Sequence, residues 1–142
     1  MRILPVPYDE ALFAALTAEA EAEGYLFLRR HAQEWRDGIL RFDRPGEIFL
    51  GALDAGGLVG VGGISLDPYG PAPGLGRLRH LYVSPGRRGR GIGEALVTRL
   101  LDHGRCRFAR LRLSTRSAGA FYERLGFRAS PGENQTHVID LA

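Results

Sequence analysis

The segment from Arg77 to Thr115 most constrains the fold, because it alternates two strand-like runs with a helix. RLRHLYV (77–83) leads into a glycine-rich turn, GIGEALVTRLLDHG (91–104) has helical spacing, and ARLRLST (109–115) is the second strand-like run. Two strands of one sheet that are joined through a helix lie parallel, with a right-handed crossover. Strand–helix–strand units in the second half therefore predict a parallel pair of strands and an α/β fold.

The remaining segments add further helices and strands around this unit. Apolar residues at helical spacing, followed by glycines, predict helices in the amino-terminal part, and two apolar runs around DAGG predict a hairpin. The predicted elements are helices at 8–24 and 25–38, strands at 47–53 and 58–66, a loop at 67–76, a helix at 118–127 and a strand at 136–141. Because no repeat or linker interrupts them, we expect one domain over 1–142.

Composition excludes several classes of protein. The single cysteine, Cys106, excludes an internal disulfide. The first residues lack the apolar core of a signal peptide, and no run approaches the roughly eighteen apolar residues of a membrane span, so we expect a cytoplasmic protein without a membrane partner. All nineteen basic residues are arginine, which excludes lysine Schiff bases and P-loops. The histidines lack the spacing of a metal site, so we expect no metal.

Positive charge is concentrated in the second half of the chain. Residues 1–76 carry six arginines against eleven acidic residues, whereas residues 77–128 carry thirteen arginines against three. Solvated surface accounts for many of these charges, but they are densest around SPGRRGRGIGEAL (84–96). There a glycine-rich turn leads from a strand into a helix, whose free N–H groups and positive dipole end favour a phosphate. Glycine lets the phosphate approach the backbone, and arginine can bind its oxygens in pairs.

Residues 88–93 have the pattern R-x-x-G-x-G, directly after a strand and at the start of a helix. The pattern fits neither the dinucleotide fingerprint nor a P-loop. LYVSPGRRGRGIGEALV (81–97) resembles the acyl-coenzyme A pyrophosphate loop of the GNAT superfamily of N-acetyltransferases, and AFYERLGF (120–127) resembles its second signature. The resemblance implies an α/β single domain with a mixed central β-sheet of about six strands flanked by about four helices.

The resemblance also implies an activity, in which an acetyl group moves from acetyl-CoA to a primary amine by direct attack in a ternary complex. The strand at 77–83 is expected to splay from the next one and to admit the pantetheine arm, while one of its backbone N–H groups stabilises the oxyanion. The implied cofactor-binding residues are Leu81, Tyr82 and Val83 for the pantetheine arm and Arg88, Gly89, Arg90, Gly91, Ile92, Gly93 and Glu94 for the pyrophosphate. Three arginines stay open for the 3′-phosphate: Arg87, Arg116 and Arg124.

Two catalytic residues are expected, the first from the resemblance and the second from its side-chain chemistry. Tyr122 falls on the tyrosine of the second signature and is expected to be the general acid that protonates the thiolate, the alternative being a core tyrosine. A general base is less evident, because Arg77 stands where relatives often carry a glutamate. His80 has a suitable ordinary pKa, and we expect it to share a strand face with Leu78 and Tyr82. The alternatives for the base are Glu47, Asp67 and a water relay.

The acceptor is expected to be a small molecule or a peptide that carries the amine. Arg29, Arg30, Arg77 and Arg79 are candidates to hold a carboxylate of it, the alternative being that they are surface charge. The acidic first half instead favours a polyamine or an aminoglycoside. Two other functions stay open: an acyl-CoA sensor of the same fold without turnover, and a nucleic-acid-binding module. Because the arginines are not interleaved with aromatic residues, we expect no nucleic-acid partner. A homodimer stays open.

Overall fold

The computed structural model describes residues 1–70 and 72–141, which form seven strands and four α-helices. In chain order these are β1 (Arg2–Pro5), α1 (Glu10–Ala22), α2 (Phe27–Arg36), β2 (Ile48–Asp54), β3 (Gly57–Leu66), β4 (Leu75–Val83), α3 (Ile92–Gly104), β5 (Arg110–Leu113), α4 (Gly119–Arg124), β6 (Arg128–Gly132) and β7 (Gln135–Asp140). All seven strands belong to one mixed sheet in the order β1–β2–β3–β4–β5–β7–β6. The predicted α/β architecture with a mixed sheet is confirmed.

Two strands were not expected from the sequence, and both lie at an edge of the sheet. β1 has the sequence RILP and β6 the sequence RASPG, so each is short and contains a proline. An interior strand forms hydrogen bonds to neighbours on both sides, and proline has no N–H to donate to them. Proline is therefore tolerated mainly in strands at the edge of a sheet. Neither segment has the alternation of apolar and polar residues that marks a half-buried strand, and the sequence therefore left both unassigned.

The two strand–helix–strand units of the second half pair differently. β4 and β5, which are joined through α3, are parallel as predicted. β5 and β7 are antiparallel, so a parallel pairing is wrong for the second unit. The reason is the unpredicted strand β6: it forms an antiparallel hairpin with β7, and the hairpin reverses the chain before β7 enters the sheet.

Two apolar clusters cover the two faces of the sheet. On one face α3 packs its stripe of Leu96, Val97 and Leu100, all fully buried, against β2, β3, β4 and β5. On the other face α1 and α2 pack Phe13 and Leu28 against the sheet. α1 begins after Asp9, whose carboxylate accepts a hydrogen bond from the Leu12 N–H at 2.9 Å and thereby caps the helix. No helix within the described ranges is both long and apolar enough to cross a bilayer.

A buried histidine lies between α2 and the sheet. His31 is 1% exposed and stacks on Phe49 with ring centroids 4.3 Å apart. Neither of its ring nitrogens has a hydrogen-bond partner among the described residues. Burial, with a smaller contribution from the positive charge of Arg79, lowers the pKa of His31 from 6.5 to about 4. The core therefore holds this imidazole in its neutral form.

Acidification should destabilise the protein through His31. Because the pKa of His31 is lower in the folded than in the unfolded chain, the unfolded chain binds the proton first, and stability is lost as the pH falls from about 6.5 to about 4. The loss expected from this group is about 3 kcal/mol at pH 4. The difference in unfolding free energy between pH 7 and pH 4, measured with urea, should be smaller by about that amount in His31→Leu. An equal pH dependence of the two proteins would contradict this assignment.

Candidate active site

The strands β4 and β5 diverge after a short stretch of pairing. They pair in parallel at three positions, from Leu75↔Arg110 to Arg77↔Arg112, and no later residue of β4 has a partner on β5 within the described ranges. The backbone groups of residues 78–83 that face β5 are therefore free of sheet hydrogen bonds. This opening in the sheet has the form that the sequence led us to expect.

A β-bulge lies in the part of β4 that pairs with β3 but has no partner on β5 among the described residues. Arg79 pairs with Gly63, but Tyr82, three residues further along β4, pairs with Val61, which is only two residues before Gly63 on the antiparallel strand β3. The extra residue is accommodated by His80, whose φ of +60° is in the left-handed region. The bulge changes which side chains of β4 point to each face of the sheet.

A cavity of about 1090 Å³ occupies the opening and extends over both sides of it. Its walls are residues 77–83 of β4, the residues that follow β5, the start of α3, the helix α4 and the loop between α1 and α2. Both predicted catalytic residues, Tyr122 and His80, line this cavity. Of the ten predicted cofactor-binding residues nine line it, and the exception is Arg90. One cavity thus collects almost the whole predicted site.

The glycine-rich loop presents backbone donors to this cavity. From Gly89 to Glu94, no backbone N–H has a backbone acceptor among the described residues, and no side chain caps the helix. Gly89 and Gly91 have φ values of +79° and +80°, which strain any residue other than glycine. A Cβ at either position would have no atom of the described residues within 4 Å, so the space beside the loop is open. The loop is therefore a cradle for an anion at the amino terminus of a 13-residue helix.

The charge lining the cavity is almost entirely positive. Its lining includes seven arginines and a single acidic residue, Glu94. The arginines are Arg30, Arg77, Arg79, Arg87, Arg88, Arg116 and Arg124. Such a cavity attracts polyanions and repels cations.

Arg88, the first arginine of the R-x-x-G-x-G pattern, is held by a carboxylate. Its guanidinium donates to the two carboxylate oxygens of Glu23 at 2.6 and 3.0 Å and to the carbonyl oxygen of Val83 at 3.0 Å. The Tyr82 hydroxyl also donates to Glu23. These hydrogen bonds, that from Arg88 first, lower the pKa of Glu23. The sequence did not reveal Glu23, because it lies 65 residues from Arg88 at the end of α1 and no local pattern marks it.

Tyr122 lies in α4, with its ring against two phenylalanines. Its ring centroid is 5.0 Å from that of Phe121 and 5.5 Å from that of Phe127. The residue is 6% exposed, and burial raises the pKa of its hydroxyl above the ordinary value of 10. The phenol therefore keeps its proton throughout the neutral range and can donate it.

The structure places His80 on the opposite side of β4 from Leu78. Leu78 belongs to the cluster around α3, whereas the His80 ring stacks on Phe27 of α2 at 5.8 Å. The expectation that Leu78, His80 and Tyr82 share one face is therefore wrong for Leu78, because the bulge interrupts the alternation. Burial, followed by the nearby Arg79, lowers the pKa of His80 well below 6.5. Its Nε2 is buried and has no hydrogen-bond partner among the described residues.

The two carboxylates considered as alternative bases lie outside the cavity lining. Glu47 is buried and binds the Arg44 guanidinium at 3.0 Å and the Leu66 N–H at 2.9 Å. Asp67 is also buried and binds the guanidinium of Arg112. Both carboxylates are engaged in structural hydrogen bonds. No group of three or more His, Cys, Asp or Glu side chains within the described ranges is arranged for a metal.

Comparison with known proteins identifies the family. The model of the acetyltransferase (GNAT) family matches residues 10–127. The chain belongs to this family. Among curated proteins, none matches it.

Three crystal structures illustrate how the GNAT fold of this chain compares with others. A candidate acetyltransferase from Exiguobacterium sp. 255-15 is 29% identical, with 99% of this chain and 94% of the other covered and a TM-score of 0.86. A candidate acyl-CoA N-acyltransferase from Klebsiella pneumoniae is 27% identical, with coverage of 99% and 97% and a TM-score of 0.70. A GNAT family N-acetyltransferase from Escherichia coli in complex with CoA is 23% identical, with coverage of 100% and 83% and a TM-score of 0.70.

In this GNAT acetyltransferase, Arg77 closes the narrow end of the opening between β4 and β5. It is 8% exposed and donates to the Asn134 carbonyl oxygen at 2.7 Å and to the Ser114 hydroxyl at 3.0 Å. Its guanidinium is 3.6 Å from the carboxylate of Asp67, which Arg112 of β5 also binds. These contacts connect β4, β5 and the β6–β7 hairpin. Arg77 therefore has a structural role at a position where the resemblance led us to look for a base.

Proposed function

We propose that this protein is an N-acetyltransferase that moves an acetyl group from acetyl-CoA to a primary amine by direct attack in a ternary complex. The observation that carries the proposal is one cavity that contains both an anion cradle at a helix amino terminus and a buried, protonated tyrosine. The coenzyme A in the Escherichia coli relative supports the choice of cosubstrate.

Two parts of the site suit coenzyme A. The loop Gly89–Glu94 supplies backbone N–H groups for the pyrophosphate, and its open space leaves room for the phosphate oxygens. The free backbone edge of residues 81–83 suits the amide groups of the pantetheine arm, which pair with it as an added strand would. Arg88 is within reach of the same loop if it exchanges Glu23 for phosphate oxygens. When bound, acetyl-CoA supplies the activated acetyl thioester.

The chain supplies proton donors and acceptors next to this cradle. We assign Tyr122 as the general acid for the departing sulfur, because its buried hydroxyl keeps its proton. We assign His80 as a neutral ring that accepts a hydrogen bond from the attacking amine, because its lowered pKa keeps one ring nitrogen free of a proton. We assign the developing oxyanion to a backbone N–H of β4 beyond the bulge, where β4 has no partner on β5 among the described residues.

Direct attack is favoured over an acetylated enzyme by the position of the only thiol. Cys106 is exposed and does not line the cavity, so it cannot take the acetyl group from a cosubstrate bound at the loop. Serine and threonine line the cavity after β5, but His137 and His80 are not hydrogen-bonded to Ser114 or Ser117, as an activated hydroxyl would require.

Calorimetry with acetyl-CoA and release of free thiol in the presence of an amine panel test this function. We expect binding at one site, amine-dependent thiol release, and initial-velocity patterns that intersect, as a ternary complex requires. His80→Asn should retain cosubstrate binding and lose turnover. Binding of acetyl-CoA without turnover of any amine would instead indicate a sensor, and absence of binding would contradict the proposal as a whole.

A further inference from the structure

The part of the cavity away from the glycine-rich loop has a composition of its own. We call it the acceptor end and define it by Tyr25, Phe27, Arg30, Tyr69, Arg77 and Arg79, all of which line the cavity. The loop between α1 and α2 and the start of β4 bring these residues together. No aspartate or glutamate lines this end.

The positive charge of the acceptor end is only partly compensated. Asp67 lies 3.6 Å from the Arg77 guanidinium, but the same carboxylate also binds Arg112, so one negative charge serves two arginines. Arg30 and Arg79 have no ion pair and no side-chain hydrogen bond with any described residue. Both residues line the cavity together with His80, Arg79 as its neighbour in β4 and Arg30 from α2.

Arg29, the fourth arginine considered from the sequence, does not belong to this group. Its guanidinium pairs with Glu21 at 2.6 Å, and it does not line the cavity. The two neighbouring arginines of α2 therefore differ: Arg29 has a carboxylate partner on α1, whereas Arg30 faces the cavity without one.

We propose that the acceptor is an amine that also carries a carboxylate, and that Arg30 and Arg79 bind this carboxylate. The proposal rests on the proposed acetyltransferase function and names the class of its second substrate. Guanidinium groups bind carboxylates through paired, charge-assisted hydrogen bonds. A polyamine or an aminoglycoside would instead bring several positive charges to an end of the cavity that holds three arginines and no acid.

The same charges assist the chemistry of such a substrate. Only the neutral amine is a nucleophile, and neighbouring positive charges lower the pKa of an ammonium group. Glu47 and Asp67 are both engaged elsewhere, and no carboxylate of the described residues lines the acceptor end to remove the proton. Arginines that hold the carboxylate of the substrate thus also favour the deprotonated form of its amine.

The test uses pairs of amines that differ only in the anionic group. Binding to the protein saturated with coenzyme A is measured by calorimetry for L-amino acids and their carboxamides and for 4-aminobutyrate and butylamine. Thiol release from acetyl-CoA is measured with the same compounds. We expect the carboxylate-bearing member to bind at least tenfold more tightly. A preference for the carboxamides, for butylamine or for spermidine would overturn the proposal, and a preference for phosphoethanolamine over every carboxylate would overturn the choice of carboxylate.

Variants show whether the two arginines cause the preference. Arg30→Gln and Arg79→Gln should each reduce the preference for the carboxylate at least tenfold while leaving coenzyme A binding and the affinity for butylamine unchanged. Arg29→Gln on the same helix is the matched control and should keep the preference. A preference that survives in both cavity variants would contradict the assignment. Failure of coenzyme A to bind would instead refute the proposed function, and the amine pairs would then still decide the preference on the protein alone.

Discussion

Gly91→Ala should weaken coenzyme A binding about tenfold or more, which corresponds to a loss of at least about 1.4 kcal/mol. Gly91 has a φ of +80° at the amino terminus of α3, where a Cβ has free space in the protein alone. That free space is where we place the pyrophosphate, so the methyl group would occupy the position of a phosphate oxygen. The strained backbone would also tend to rotate out of the left-handed region, and the N–H groups of the cradle would turn away from the ligand.

Gly57→Ala provides the matched control for this experiment. Gly57 also has a positive φ, +109°, and a Cβ there likewise meets no described atom within 4 Å, but the residue lies outside the cavity. Both substitutions should lower the unfolding free energy by at least about 1 kcal/mol, because both force alanine to a positive φ. Of the two variants, only Gly57→Ala should show the wild-type affinity for coenzyme A in calorimetry. Equal affinities of the two variants would mean that the loop does not hold the pyrophosphate.

Tyr122→Phe should lower kcat by roughly a hundredfold or more, the usual range for loss of a general acid. The substitution keeps the ring that packs against Phe121 and Phe127, so coenzyme A binding and stability should change little. Tyr8→Phe, which removes a phenol outside the cavity, should leave kcat unchanged. A stability loss without a change in kcat would assign Tyr122 to the core alone.

The pH profile of kcat provides an independent check on Tyr122. Because burial raises the pKa of its hydroxyl, the proton that acts as the acid is present at neutral pH and is lost only above the ordinary tyrosine pKa of 10. The wild-type kcat should therefore show no loss from ionisation of Tyr122 below about pH 10. An alkaline decline with a midpoint well below that value, absent in Tyr122→Phe, would contradict the assigned environment.

The elements that sequence could predict are those with local signals. The parallel unit β4–α3–β5 and the glycine-rich loop follow from runs of a few residues, in which apolar spacing and glycines specify the backbone. The edge strands β1 and β6 could not be predicted, because each is a short segment with a proline whose pairing depends on a neighbouring strand. Their conformation is set by tertiary contacts and not by their own pattern.

For the candidate site, as for the fold, the residues with a local sequence signal were predicted and those that depend on tertiary contacts were not. The sequence predicted Tyr122 and the loop residues, which line one cavity in the structure, with the exception of Arg90. It did not predict the contact of Glu23 with Arg88 or the bulge at His80, because both arise only in the folded chain. Glu23 meets Arg88 only because α1 packs beside the end of β4, and a bulge depends on the register of two strands. Contacts between residues 65 positions apart leave no periodic signal along the sequence.

The bonding around Arg77 at the narrow end of the opening has a thermodynamic consequence. Backbone pairing holds β4 to β5 at that end, and the buried guanidinium of Arg77 on β4 shares one carboxylate there with Arg112 on β5. The angle between the strands is thereby set in the free protein and does not have to be created when a ligand enters. The conformational entropy lost on binding is then mainly that of the long, flexible ligand, and little binding free energy is needed to separate β4 from β5.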